Sequence, residues 1–460
     1  MNIHMTIFGG TGDLCSRKLM PALYNLYIRE ELSDSSSIIA IGRRDYTDEQ
    51  YIDLIKPWVH QFARLGRDLS KFDSFAKLIH YYRMDFTDPS SYKDLEALEQ
   101  HCCVSSVHLV YLAVAPQYFR TIAENYAKLS TATDSRILLE KPFGETLEDA
   151  RLLNTSLEQS FGSDHIFRID HYLGKEMVRS MLDIRRTNPI FANAWNKDFI
   201  QAVEISAMEE VGVETRGGYY DQAGAVKDMV QNHLMQIMTI LALDQPDQPS
   251  IREQQIEIMH SLRKVDPKEI QNQMVLGQYE GYRNEQKVDP KSTTETFAAL
   301  RLYLDHPRWQ GVPFLLRTGK KCKERFSEAA ILFKPANEHT APDVLRIRIQ
   351  PTEEIHLEFN VKNPGDQAGL QSVQLSFCQS CNDIFHQNTP EAYERMLLAC
   401  ANNDSSWFTS FEAIETSWSY IQQLKDAYRS SNLPVYPYPQ NENGPREADR
   451  LLEPFSSHWL

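Results

Sequence analysis

An α/β unit with a parallel sheet, followed by a larger α+β unit with a mostly antiparallel sheet, is the fold class this sequence predicts, with residues 1–172 in the first and 173–460 in the second. Three observations point there. At 460 residues the chain exceeds the size at which one core usually keeps growing. Its first 145 or so residues alternate short apolar runs with amphipathic helical patterns, as a chain of strand–helix–strand units does. Beyond about residue 200 the pattern shifts to β-rich stretches broken by Pro, Gly and Asn.

In chain order, residues 4–8 form the first strand candidate, and "TIFGGTGDLCSRK" joins it to a helix in which Leu19, Leu23, Leu26 and Tyr27 fall at helical spacing. Gly9, Gly10 and Gly12 allow a tight turn with the backbone close to a bound pyrophosphate, and the helix start behind them favours an anion. Counted from Gly10, the third glycine position of a GxGxxG holds Cys15, so the placement between strand and helix carries more weight than the motif. The loop Gly9, Gly10, Thr11, Gly12, Asp13 and Leu14 is therefore the expected dinucleotide site of a Rossmann unit. The next strand, 38–41, ends in "GRRD". Arg43 and Arg44 stand where an NAD site usually has an acid for the ribose hydroxyl; a guanidinium fork matches a phosphate, which favours NADP, with Arg17 and Lys18 as helpers. Further strands are expected at 107–114 and 137–140.

In the second half, "AVEISAM", "FAALRLYL", "AAILFK", "VLRIRIQP" and "IHLEFNV" alternate as half-buried strands do and suggest one large antiparallel sheet. The late "NLPVYPYPQNENGP" reads as a surface-hugging tail.

Forty-eight basic against 63 acidic side chains give a net charge of −15, which argues against broad nucleic-acid or anionic-membrane binding. No apolar run approaches the roughly 20 residues needed to span a bilayer, and the start reads as a strand and not a leader, so a cytoplasmic protein is expected. Seven cysteines, thinly spread, do not resemble a disulfide framework. Cys378 and Cys381 make a CxxC with no second pair, so all seven read as ordinary reduced thiols.

Two stretches carry candidate chemistry. "RIDHYLGKE" (168–176) holds Asp170, His171 and Lys175; if the chain turns helical after Ile169, His171 and Lys175 share a face and grip one anion. "GAVKDMVQNHLMQIMTILAL" places Met229, His233, Ile237 and Ile240 on one helical face. Such a histidine is ordinarily a core residue, but an aspartate paired to imidazole would make it a usable general base.

With "GGTGDLCSRKLMPALY", "EKPFG", "RGGYYDQAG", "DMVQNHLMQ", "VPFLLRTGK" and "PEAYER" in order along nearly the whole chain, these segments resemble the glucose-6-phosphate dehydrogenase family. The resemblance implies oxidation of glucose 6-phosphate at C1 to 6-phosphoglucono-1,5-lactone with hydride transfer to NADP⁺, the first step of the oxidative pentose phosphate pathway. It implies His233 as the general base and Asp170 as the carboxylate orienting it. His171, Tyr172 and Lys175 correspond to the grip on the sugar phosphate, and Lys141 of "EKPFG" to a lysine touching coenzyme and substrate. Glu209, Asp228 and Lys320 correspond to further substrate contacts. No metal is called for, since the coenzyme takes the hydride and the base the proton. A homodimer or dimer of dimers is implied, formed through the antiparallel sheet. Some members hold a second, structural NADP near Arg317, Arg325, Arg348 and Lys362; Phe326 replaces a further base there, which speaks against it. "FCQSCNDIF" is foreign to the family pattern.

Two other readings stay open on the residues. A sugar dehydrogenase of the glucose-fructose oxidoreductase type also joins a Rossmann unit to an antiparallel sheet and carries an "EKP", but does not account for RIDHYLGKE followed by QNHL. A catalytically silent dinucleotide sensor predicts loss of the base or the phosphate grip, and both are intact.

Overall fold

A computed structural model describes residues 1–65, 70–102, 107–244, 250–365, 369–381, 389–453, 455–456 and 458–460. The last four residues of FCQSCNDIF lie outside them. The chain forms two compact units: Met1–Gly174 with Gln387–Phe411, and Lys175–His386 with Glu412–Leu460. The first unit thus runs two residues beyond the expected boundary and takes back a late segment that the two-block division did not foresee.

In the first unit, β1 (Ile3–Phe8), β2 (Ser37–Gly42), β3 (Ile79–Arg83), β4 (Val107–Leu112), β5 (Arg136–Glu140) and β6 (Ile166–Ile169) form a sheet of order β3-β2-β1-β4-β5-β6. Every pairing is parallel. This is the Rossmann order, with its switch point between β1 and β4. β1 and β2 are buried at every position because both sheet faces are covered. Ile3, Met5 and Ile7 pack with Leu19, Leu23 and Leu26 on one face. Phe8, Ile39, Val110 and Leu112 pack with Phe119, Ile122 and Leu157 on the other.

The returning segment supplies the helix Ala392–Ala401, whose Met396, Leu397 and Cys400 join the first of these cores. Glu394 beside them is fully buried, accepting from Arg64 at 2.8 Å through both oxygens and from Asn25 at 2.9 Å. A second buried polar cluster sits on β1 and β4. Glu99 accepts from Thr6 at 2.5 Å and Tyr126 at 2.8 Å. Burial pushes its carboxyl up, yet hydrogen bonds from His108, Thr131 and Thr6 and the His108 charge hold it below its ordinary value.

Among its described residues the second unit is built on nine strands: β7 (Ile200–Met208), β8 (Met274–Tyr279), β9 (Phe297–Tyr303), β10 (Pro313–Gly319), β11 (Phe326–Phe333), β12 (Val344–Gln350), β13 (Glu354–Lys362), β14 (Leu370–Cys378) and β15 (Tyr436–Tyr438). Their order is β14-β13-β12-β11-β7-β10-β9-β8-β15. The sheet is antiparallel except at β7–β10 and β8–β15. The Pro-rich stretch expected as a tail therefore supplies an edge strand, where Pro437 costs no ladder hydrogen bond on the open side and Tyr438 is fully buried. Among the described residues no helix is long and apolar enough to cross a membrane.

One cysteine expectation fails. Cys378 and Cys381, at the end of β14, are joined as a disulfide with Cα atoms 5.4 Å apart, within the span such a bond needs. Cys15, Cys322 and Cys400 are buried thiols.

Candidate active site

The phosphate loop is shaped by close packing. Gly9 has φ +97°, and a Cβ there would run into the Ala113 carbonyl; a Cβ on Gly10 would stand 2.8 Å from that of Ala40. The N–H groups of Gly9 and Gly10 donate to Ile41 O at 3.0 and 2.7 Å, and Tyr51 donates to Gly10 O at 2.6 Å. The loop is thus pressed onto β2 and enters the wide helical turn Cys15–Leu19, which continues as the helix Met20–Ile28. Asp13 is ion-paired with Arg17 at 2.6 Å, so an acid in the loop does not oppose an anion uncompensated. Arg17 also lies over Trp58, and Lys18 pairs with Glu391 at 3.8 Å, which occupies both supposed helpers. Arg43 and Arg44 stand exposed just after β2. A glycine-rich turn pressed onto β2, a helix start behind it and exposed guanidinium groups after β2 are the features a phosphorylated dinucleotide requires, so the residues fit NADP.

Further along the first unit, Lys141 follows β5 and its bond to Pro142 is cis. Glu140 before it is partly buried and accepts from Tyr111 at 2.8 Å and Tyr393 at 2.9 Å. Burial raises the Glu140 carboxyl, offset by those two bonds. Asp170, 3% exposed, follows β6. Its Oδ1 accepts the Tyr172 N–H at 2.9 Å, and its carbonyl accepts that of Leu173 at 3.0 Å. This aspartate-closed turn replaces the helix expected after Ile169: the helix starts only at Glu176, preceded by Lys175. His171 and Lys175 therefore do not share a helical face. The His171 ring instead lies tilted against that of Tyr172, ring centroids 4.9 Å apart.

In the second unit, His233 is 1% exposed and Asp228 6%, both on a π-helical stretch Val226–Leu234 that runs into the helix Met235–Ala242. A π turn inside a helix is rare and frequently marks a functional site. Met229, His233, Ile237 and Ile240 are all buried, as the periodicity predicted. Lys320, at the end of β10, is paired with Glu209, and its Nζ lies 5.0 Å over the Tyr220 ring. Burial pushes the Tyr220 hydroxyl well up, helped by the charges of Asp228, Glu295 and Glu209. Glu209, Asp228 and Lys320 thus gather around one tyrosine that sequence reasoning did not single out. Lys175 donates to Gln350 at the end of β12. Gln350 was also missed, since nothing in "RIQP" marks an amide for a site.

Arg317 is buried, bonded to Ser206 at 2.7 Å and Leu460 O at 3.0 Å, with Trp459 4.7 Å over its guanidinium. A guanidinium so covered leaves little for a second dinucleotide.

The model for "Glucose-6-phosphate dehydrogenase, NAD binding domain" matches residues 6–180, and that for the C-terminal domain of the same enzyme matches residues 182–460. The chain is 36% identical to glucose-6-phosphate 1-dehydrogenase of Bacillus subtilis, covering 99% of this chain and 97% of that one. A solved glucose-6-phosphate dehydrogenase in complex with its substrate glucose-6-phosphate superposes with TM-score 0.88 at 30% identity, covering 97% and 96% of the two chains. The enzyme from Mycobacterium avium gives 0.85 at 32%, covering 100% and 99%. With both halves matched in order and the parallel and antiparallel sheets each in place, the chain belongs to the glucose-6-phosphate dehydrogenase family.

Proposed function

We propose that the chain oxidises β-D-glucose 6-phosphate at C1 to 6-phosphoglucono-1,5-lactone, with NADP⁺ as the hydride acceptor when bound, and that His233 is the general base. His233 takes the C1 hydroxyl proton while Asp170 fixes its tautomer and stabilises the imidazolium. Glu209 and Asp228 accept from sugar hydroxyls, and Lys320 donates to the same ring. His171, Tyr172 and Lys175 hold the phosphate, an anchor remote from C1 that supports orientation at C1. Lys141 contacts both ligands. Gly9, Gly10, Thr11, Gly12, Asp13 and Leu14 cradle the pyrophosphate, and Arg43 meets the 2′-phosphate. A cytoplasmic homodimer or dimer of dimers, pairing through the large sheet, belongs to the same reading.

The observation that carries this is full-length likeness to chains named for this reaction, with RIDHYLGKE and QNHL both intact. It favours this reading over a glucose-fructose oxidoreductase type enzyme and over a silent sensor. Initial rates with glucose 6-phosphate and either NADP⁺ or NAD⁺ test it: reduced coenzyme should accumulate with NADP⁺, and none with either would overturn it.

A further inference from the structure

The Cys378–Cys381 disulfide has no part in the reaction described above, yet it is connected to it. Cys378 is the last residue of β14 and pairs in register with Glu354, the first of β13. The two residues enclosed by the disulfide grip the connection between β12 and β13. Gln379 N–H donates to Glu353 O at 2.8 Å, and Glu353 N–H donates to Ser380 Oγ at 2.9 Å. The other end of that connection is Gln350. Its side-chain amide donates to Ser327 Oγ at 3.0 Å, and its side-chain carbonyl accepts from Lys175 Nζ. A continuous path within the second unit therefore runs from the sulfur pair through Glu353 and the short connection to Gln350 and Lys175. Cys381 is exposed, so a reductant reaches its sulfur.

We propose that Cys378 and Cys381 form a reversible thiol–disulfide site, reacting with dithiol reductants, that sets how firmly Lys175 is held for the sugar phosphate. This rests on the reading of Lys175 as a phosphate contact. In the reductive direction, one thiolate of the dithiol attacks Cys381 Sγ and breaks the bond to Cys378, which leaves as thiolate and takes a proton. The second thiolate of the dithiol then attacks its own partner sulfur in the mixed disulfide, releasing Cys381, which is protonated in turn. Two electrons and two protons pass to the pair, and the dithiol leaves as its disulfide. Opening the bond frees residues 379 and 380, weakens the hold on Glu353 and lets Gln350 and Lys175 move. Substrate binding must then order them, which lowers affinity without touching the base.

The test uses the wild-type chain equilibrated in buffers of graded reduced-to-oxidised dithiothreitol ratio. The state of the pair is read by thiol alkylation and mass spectrometry, and initial rates are measured in parallel. On reduction, KM for glucose 6-phosphate should rise about threefold to tenfold while kcat and KM for NADP⁺ stay the same. A C378S/C381S chain should keep the higher KM at every ratio. An unchanged KM between oxidised and reduced enzyme, or a pair that is reduced at every ratio, overturns the proposal. Lys175→Ala separates the two readings. If it raises KM while redox state does not, this proposal alone falls; if it leaves KM unaltered, the reading of Lys175 falls and takes this one with it.

Discussion

Tyr393 donates a hydrogen bond to Oε1 of Glu140 at 2.9 Å, joining a late helix to the residue before Lys141. The same oxygen accepts from Tyr111, so the carboxyl is held from two sides. Tyr393→Phe removes one of two donors from a partly buried carboxyl and should cost about 0.5–1.5 kcal/mol of stability. Urea denaturation of the two chains measures it, and KM for both ligands should rise as Lys141 loses its fixed neighbour.

His233→Asn should lower kcat by orders of magnitude while glucose 6-phosphate still binds, and Lys175→Ala should act mainly on KM. Steady-state rates together with equilibrium binding separate the two. Equal effects on affinity alone would contradict the division between proton transfer and anchoring.

Arg43→Ala should raise KM for NADP⁺ and leave that for NAD⁺ nearly unchanged, because only the former has a 2′-phosphate to lose a fork partner. Parallel rate series with the two coenzymes decide it.

Acid should weaken the fold through His4. Burial, and then the neighbouring His108, push its ring down to about 3, against the pull of Glu99, with His80 a further opposing charge. Above pH 6.5 neither the folded nor the unfolded chain binds this proton. As pH falls from 6.5 towards 3 the unfolded chain takes it up and the folded one does not, so stability drops by about 1.4 kcal/mol per pH unit from this group. Denaturation midpoints at pH 6.5, 5.5 and 4.5 should fall more gently in His4→Asn than in the parent. Parallel slopes would rule the assignment out.

Glu394→Ala removes the carboxylate that accepts two 2.8 Å hydrogen bonds from the Arg64 guanidinium, whose side chain is 10% exposed, and should cost about 3–5 kcal/mol. Replacing both partners, as Arg64→Met with Glu394→Leu, should recover much of that loss in the same thermal scan.

The strands of the first sheet were legible where burial on both faces makes a continuous apolar run, as in β1, β2, β4 and β5. β3, with alternating exposure, and the four-residue β6 gave too little pattern. The turn at Asp170 was misjudged because helical spacing between His171 and Lys175 is visible in sequence, whereas a side chain capturing the Tyr172 N–H is not. His233 was singled out because its apolar face and its motif coincide, and the structure buries it as that face predicts. Gln350 was not, since its meaning comes from Lys175, 175 positions away. The CxxC was seen, but its bonding and its hold on Glu353 depend on the pairing of β13 with β14, which no local pattern carries.

The helix Ala392–Ala401 has a consequence for how the molecule is made. Its Met396 and Leu397 complete a core whose other members lie mostly before residue 170, and its Glu394 is ion-paired with Arg64. On the ribosome the first six strands emerge long before that helix exists. The earliest part of the chain must therefore wait, with an apolar groove uncovered, until nearly nine-tenths of synthesis is done. A fragment ending at Gly174 should accordingly behave as an unfinished, aggregation-prone nascent chain, and coexpression with a peptide spanning 387–411 should restore its solubility.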